Sequence, residues 1–110
     1  MQAASTTLQA LSDETRRRIV ELLASGERTA GELAEEFAIS RPAVSRHLRV
    51  LREAELVRWR AEAQRRVYRL DAMALGDVAD WIDAVRRTWA SRLDRLEQYL
   101  DDSATKEPDP

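Results

Sequence analysis

The sequence predicts a mainly α-helical fold carrying one small β-hairpin, and three observations support that prediction. Helix-start signals recur at Ser12, Thr29 and Ser40, each followed by apolar residues at helical spacing. Two short runs, residues 56–60 and 66–70, alternate apolar with basic side chains at period two, the mark of a half-buried strand pair. A single apolar stripe then extends from Leu75 to Leu100. The order is four helices, a two-stranded hairpin and a fifth helix.

Leu8, Leu11, Ile19, Val20, Leu22 and Leu23 fall in two helical segments separated at Ser12-Asp13-Glu14. Ser12 is the expected cap there, with two acids at the positive end of the helix dipole. The run Arg16-Arg17-Arg18 reads as a solvated face. Thr29-Ala30-Gly31-Glu32 is a capping box that opens the third helix, with Leu33, Ala34 and Phe37 on its inner side. Ala38, Ile39 and Ser40 make a tight turn. Ser40 then caps a fourth helix whose second position is Pro42, where no intrahelical amide donor is needed. Val44, Leu48 and Leu51 form the apolar stripe of that helix. Its opposite face carries Pro42, Ser45, Arg46 and Arg49, flanked by Arg41 and Arg52. Two short helices with a close junction, the second basic on its outer face, form a helix-turn-helix. The hairpin behind them is a wing, with Arg60, Arg65 and Arg66 at its tip, so the fold class is a winged helix-turn-helix.

Charge agrees once it is read by segment. The whole chain of 110 residues carries a formal net charge of -2, but residues 40–70 hold nine Arg against three acids, a local balance of +6. A basic patch on an acidic body steers one face toward DNA. Arginines in the first turns of a helix suit guanine edges or phosphates in a major groove. The candidate DNA-binding residues are therefore Ser40, Arg41, Pro42, Ser45, Arg46, Arg49, Arg52, Arg60, Arg65 and Arg66. Arg outnumbers Lys throughout, Lys106 being the one lysine, although a GC-rich genome produces the same bias. Length allows one domain, residues 1–100. With no Cys there is no disulfide or thiol switch, and there is no membrane-length apolar run or signal-peptide pattern, so the cytoplasm is the expected compartment.

The final helix is expected over about residues 72–100. Leu75, Val78, Ile82, Val85, Trp89, Leu93, Leu96 and Leu100 follow spacings of three and four, close to a heptad seam that needs a partner. The helix outruns a domain whose other elements are short, so a second copy is the expected cover, and folding back on its own domain is the alternative. The expected homodimer interface comprises Leu8, Leu75, Val78, Trp81, Ile82, Val85, Trp89, Leu93 and Leu96. Residues 101–110 lack any pattern and read as a disordered tail.

Nothing pairs a nucleophile with a base, and no glycine-rich phosphate loop is present, so the residues do not point to an enzyme or to a cofactor. A winged helix that has turned from DNA to protein partners would carry a neutral or acidic face on residues 40–52, where the Arg cluster stands. A small-molecule inducer near Trp81 or Trp89 is left open.

The chain resembles the ArsR/SmtB winged-helix repressors, closely over about residues 8–70 and more loosely through the terminal helix. The resemblance rests on Leu11-Ser12-Asp13-Glu14-Thr15-Arg16, Glu32-Leu33-Ala34, the run from Ser40 through Pro42-Ala43-Val44-Ser45 to Leu51, and Ala54-Glu55-Leu56-Val57. It implies a homodimer that binds an inverted-repeat, double-stranded DNA operator and represses transcription, often of its own gene. In such proteins the helix matching residues 40–52 enters the major groove and the hairpin around Arg60 to Arg66 reaches the neighbouring backbone. The Pro42-Ala43-Val44-Ser45 version and the ending around Trp89 look most like members that sense no metal. Family metal sensors place thiolates in the first helix of the motif, or His and carboxylates along the last helix. Here residues 29–36 have no thiol, and Asp77, Asp80 and Asp83 have no imidazole beside them. The resemblance makes His47, the one histidine, a packing or hydrogen-bonding residue. Glu55 stands where the family usually has Gly, and the wing tip Ala61-Glu62-Ala63-Gln64 has no residue suited to a tight primed turn. A looser wing is the expected result.

Overall fold

The computed structural model describes residues 2–105. In chain order its elements are α1 (Gln2–Ala10), α2 (Glu14–Ser25), β1 (Arg28–Thr29), α3 (Ala30–Phe37), α4 (Arg41–Glu53), β2 (Val57–Glu62), β3 (Arg65–Leu70) and α5 (Met73–Thr105). The chain divides into two compact units, one ending at Val78 and the other beginning at Ala79.

In the first unit the four leading helices and the hairpin surround one apolar cluster. Ile19, Leu33, Val44, Leu48, Leu51, Leu56 and Val57 are fully or almost fully buried in it. Each α4 contributor comes from the stripe at i, i+4, i+7, so burying that stripe fixes which face of α4 is left in water. Thr7 is buried as well, and its hydroxyl donates to Ala3 O at 3.0 Å, which satisfies it inside α1.

Both expected caps of the motif are present. Thr29 Oγ1 accepts from Glu32 N at 3.1 Å while Glu32 Oε1 accepts from Thr29 N at 2.9 Å, and Ser40 Oγ accepts from Ala43 N. The cap of α2 is one residue later than expected: Asp13 accepts from Arg16 N at 3.0 Å, whereas Ser12 Oγ donates back to Gln9 O. A carboxylate, charged and longer than a hydroxyl, is the stronger acceptor at a helix N-terminus. The arginine run is not simply solvated either. Arg16 Nε donates to Ala10 O at 2.6 Å and an Arg17 guanidinium nitrogen donates to Leu11 O at 2.8 Å. These bonds satisfy carbonyls that the end of α1 leaves without intrahelical partners. The Arg18 guanidinium lies over the Phe37 ring, 5.3 Å from its centroid.

The sheet holds one strand more than expected. Two-residue β1 pairs antiparallel with β3 (Arg28 with Tyr68, Thr29 with Val67), giving the order β1-β3-β2. β3 is thereby central, and its consecutive residues Val67 and Tyr68, on opposite faces, are both buried. The hairpin register runs from Val57–Leu70 to Glu62–Arg65, so only Ala63 and Gln64 form the turn. Ala63 adopts φ 56°, the left-handed conformation the tight turn requires, without the Gly or Asn that takes it readily. The looser wing expected from the turn sequence is therefore corrected: the ladder closes fully, held by pairing along both strands.

Glu55 also sits in the left-handed region, at φ 61°. Glu55 N bonds Arg52 O and Leu56 N bonds Leu51 O, both at 2.9 Å, so α4 ends in a Schellman motif with Glu at the position that favours Gly. Left-handed backbone costs a non-glycine residue about 1–2 kcal/mol. Glu55→Gly removes that cost, adds unfolded-state entropy, and is expected to stabilise the protein by up to about 1 kcal/mol. Urea unfolding measures it; a lower midpoint in the variant would show that no strain is stored at this turn.

In the second unit α5 continues to Thr105, past the boundary expected at residue 100, so residues 101–105 are helical rather than a tail. Residues 106–110 of the expected tail lie outside the described residues. Among the described residues no helix is long and apolar enough to cross a membrane.

Candidate nucleic-acid interface

With Val44, Leu48 and Leu51 buried, α4 presents Ser40, Arg41, Pro42, Ser45, Arg46, Arg49 and Arg52 on its exposed side. The hairpin brings its tip beside the start of this helix. Arg41 and Ser45 of α4, Arg65 and Arg66 of the wing, Gln64 and Tyr68, and Thr29 to Gly31 line one groove of about 420 Å³. Residues separated by more than twenty positions in sequence thus converge on a single basic concavity.

The seven candidate arginines separate into two groups by what holds them. Among the described residues Arg41, Arg46, Arg52 and Arg66 make no ion pair, so their charges face solvent uncompensated. Arg49 pairs with Glu53 one turn on, at 3.2 Å. Arg60 is held on one side by Glu27, in the loop before β1, and on the other by Glu62 at 3.1 Å. Arg65 lies 3.7 Å from the same Glu62. Arg60 is thus engaged in fastening the wing to the segment after α2. All these side chains are exposed, and each such pair contributes at most about 1 kcal/mol.

Sequence reading missed two contributors. The Arg66 guanidinium stacks on the Trp59 ring, 4.2 Å from its centroid. Once the register pairs Trp59 with Tyr68, Arg66 is the diagonal neighbour of Trp59 on the same face, but the register was not legible beforehand. Asp71 is the second. It accepts from Arg58 Nε at 2.6 Å and from Met73 N at 3.1 Å, tying the base of the wing to the first turn of α5. His47 is half-buried on the inner side of α4, with Nδ1 3.9 Å from Asp13 Oδ2, so it faces the cap of α2.

Among the described residues three carboxyls titrate below their ordinary range. The Arg16 amide does this to Asp13, the Thr29 amide to Glu32, and the Arg58 guanidinium to Asp71. A carboxyl whose folded pKa is depressed adds stability above its unfolded pKa and loses it as pH falls through the folded value. Stability is expected to be level from neutrality to about pH 5 and to fall below the ordinary carboxylate pKa of about 4. Urea midpoints across pH 3–7 check this, and Asp71→Asn is expected to flatten part of the acid limb; a wild-type midpoint unchanged at pH 3 would contradict it.

The terminal helix presents the remaining candidates. Leu75 packs, partly buried, against the core of the first unit, and Val78 is buried by its own chain and is not free for a partner. This corrects the expected interface at its start. Trp81, Ile82, Val85, Trp89, Leu93 and Leu96 are all exposed, Trp89 at 58 %, and Leu8 on α1 is exposed at 39 %.

Among the described residues no group of three or more His, Cys, Asp or Glu side chains could hold a metal ion. The donor chemistry agrees, since the chain has no thiolate and one imidazole.

Residues 13–58, which run from the α2 cap through α4 into the wing, match the bacterial regulatory protein arsR family. The chain belongs to that family. It is 47 % identical over 93 residues to the HTH-type transcriptional regulator Rv2034 of Mycobacterium tuberculosis, covering 84 % of each protein. To the transcriptional repressor SdpR of Bacillus subtilis it is 40 % identical over 78 residues, 71 % of this chain and 87 % of the other. Among solved structures, a homodimeric winged helix-turn-helix DNA-binding domain from Mycobacterium bovis superposes with a TM-score of 0.62 at 29 % identity, covering 86 % of this chain and 84 % of that one. The arsR-family member described here is thus a winged helix-turn-helix regulatory protein, with α3 and α4 as the motif and β2–β3 as the wing.

Proposed function

We propose that this arsR-family protein is a homodimeric repressor that binds an inverted-repeat DNA operator, its own promoter among the candidates. The observation that carries the reading is the groove shared by α4 and the wing, lined by Arg41 and Arg66, which make no ion pair among the described residues, with Arg46 and Arg52 likewise unpaired on the exposed side of α4. A helix whose exposed side is Ser and Arg suits a major groove, and a basic tip beside it suits the flanking phosphates. The homodimer explains the exposed apolar side of α5, which water does not tolerate on an isolated helix. A twofold pair of reading helices in turn demands a pseudo-palindromic site. Relatives that are a transcriptional repressor and a homodimeric DNA-binding domain support the same reading.

The test is fluorescence anisotropy with a duplex from upstream of the protein's own gene against a scrambled duplex, over a salt series. Selective binding with a steep salt dependence is the expected result. Equal, weak binding to both duplexes would rule out that promoter, and selection of bound genomic fragments would then find the operator or show that there is none. Arg46→Ala is expected to relax discrimination between bases by about 1–3 kcal/mol. Unaltered selectivity in that variant would remove Arg46 from the reading face.

A further inference from the structure

We propose that Trp59 is a positioning residue, whose indole face holds the Arg66 guanidinium ready for a DNA phosphate in the groove between the wing and α4. This rests on the reading of that groove as a DNA-binding surface. Trp59 and Arg66 lie on the same face of the hairpin as diagonal neighbours, and the guanidinium carbon is 4.2 Å from the ring centroid. Arg66 also lines the groove beside Arg41 and Ser45.

What distinguishes Arg66 is the chemistry of its support. Arg60 and Arg65 at the same tip are held by Glu62, and Arg60 by Glu27 as well. A carboxylate orders an arginine at the expense of the property needed here: it occupies the N–H fork and neutralises the charge that a phosphate would meet. A flat aromatic ring orders the side chain from its face, leaving the in-plane donors and the full charge available. Trp59 is 37 % exposed, so the core does not require a tryptophan there.

The test compares five proteins by anisotropy with the selected operator duplex over a salt series: wild type, Arg66→Ala, Trp59→Leu, Trp59→Phe and the Trp59→Leu, Arg66→Ala double variant. Leu keeps apolar bulk without a π face, whereas Phe keeps the face. Trp59→Leu is expected to weaken binding about 2- to 5-fold, the scale of an exposed cation–π contact. The salt slope should fall toward that of Arg66→Ala, by up to about one unit. Trp59→Phe should stay near wild type, and Trp59→Leu combined with Arg66→Ala should bind no worse than Arg66→Ala alone. A Trp59→Leu protein that binds like wild type, or losses that add in the double variant, would overturn the proposal. The indole N–H resonance of Trp59, assigned by its absence in Trp59→Phe, provides a readout without DNA. Its displacement in Arg66→Ala would confirm the stack even if no duplex were selected; that combination would overturn the DNA reading, and the role proposed for Trp59 with it, while leaving the contact established. An unmoved resonance would overturn the positioning role directly.

Discussion

Ile82→Asp combined with Val85→Asp is expected to give a protein that sediments as a monomer and binds its operator no better than a single half-site allows. Both side chains are exposed in the single chain, at 42 % and 49 %, and both lie on the apolar side of α5 with Trp81 and Trp89. Because they are already in water, placing carboxylates there costs the isolated chain little. In a twofold interface each substitution appears twice, and an uncompensated carboxylate buried against apolar side chains costs about 3–5 kcal/mol. Even one such cost weakens association by roughly two to four orders of magnitude. DNA binding falls with it, since two reading helices joined in one dimer engage the second half-site at a high effective concentration and separated monomers do not. Analytical ultracentrifugation decides: an unchanged dimer mass would show that α5 is not the interface, and a monomer that keeps full operator affinity would separate assembly from recognition.

Leu48→Ala is expected to destabilise the fold by about 2–5 kcal/mol. Leu48 is 1 % exposed and sits midway along α4 between Val44 and Leu51, both fully buried. Truncation leaves a cavity where α4 meets the rest of the first unit, and close-packed neighbours relax into it only in part. For a protein of this size Tm should drop by roughly 4–8 °C for each kcal/mol. The exposed arginines of α4 are untouched, so well below its Tm the variant should retain base selectivity with reduced affinity. Calorimetry together with the anisotropy assay checks both halves. A Tm within a degree or two of wild type would mean that α4 is anchored by other contacts.

Much of the fold was legible because its signals are local. The Thr29–Glu32 capping box, the Ser40 cap with Pro42, and the i, i+4, i+7 stripe on α4 each depend on neighbours within two turns. They appear where the sequence placed them. The period-two runs likewise marked β2 and β3. Ser12 and Asp13 are adjacent and each is suited to cap α2, and only the backbone path selects Asp13. β1 was invisible, as two residues have no period, and it exists because β3 offers an open edge.

The sequence by itself determined which side of α4 faces the core and which carries arginine, since side-chain chemistry and a period of 3.6 residues suffice for that. It likewise determined that α5 would carry an apolar stripe in need of cover. Only the tertiary structure decided which arginines are available. Glu27, Glu62 and Asp71 meet Arg60, Arg65 and Arg58 through a register and a loop path that no local pattern encodes, while Arg66 finds a ring. It also decided that Val78 is buried by its own chain and Leu75 partly so, whereas the stripe from Trp81 onward stays exposed. The physical reason is range: a propensity or a cap acts within a helical turn, whereas ion pairing, stacking and burial depend on which distant segments the fold brings within a few ångströms.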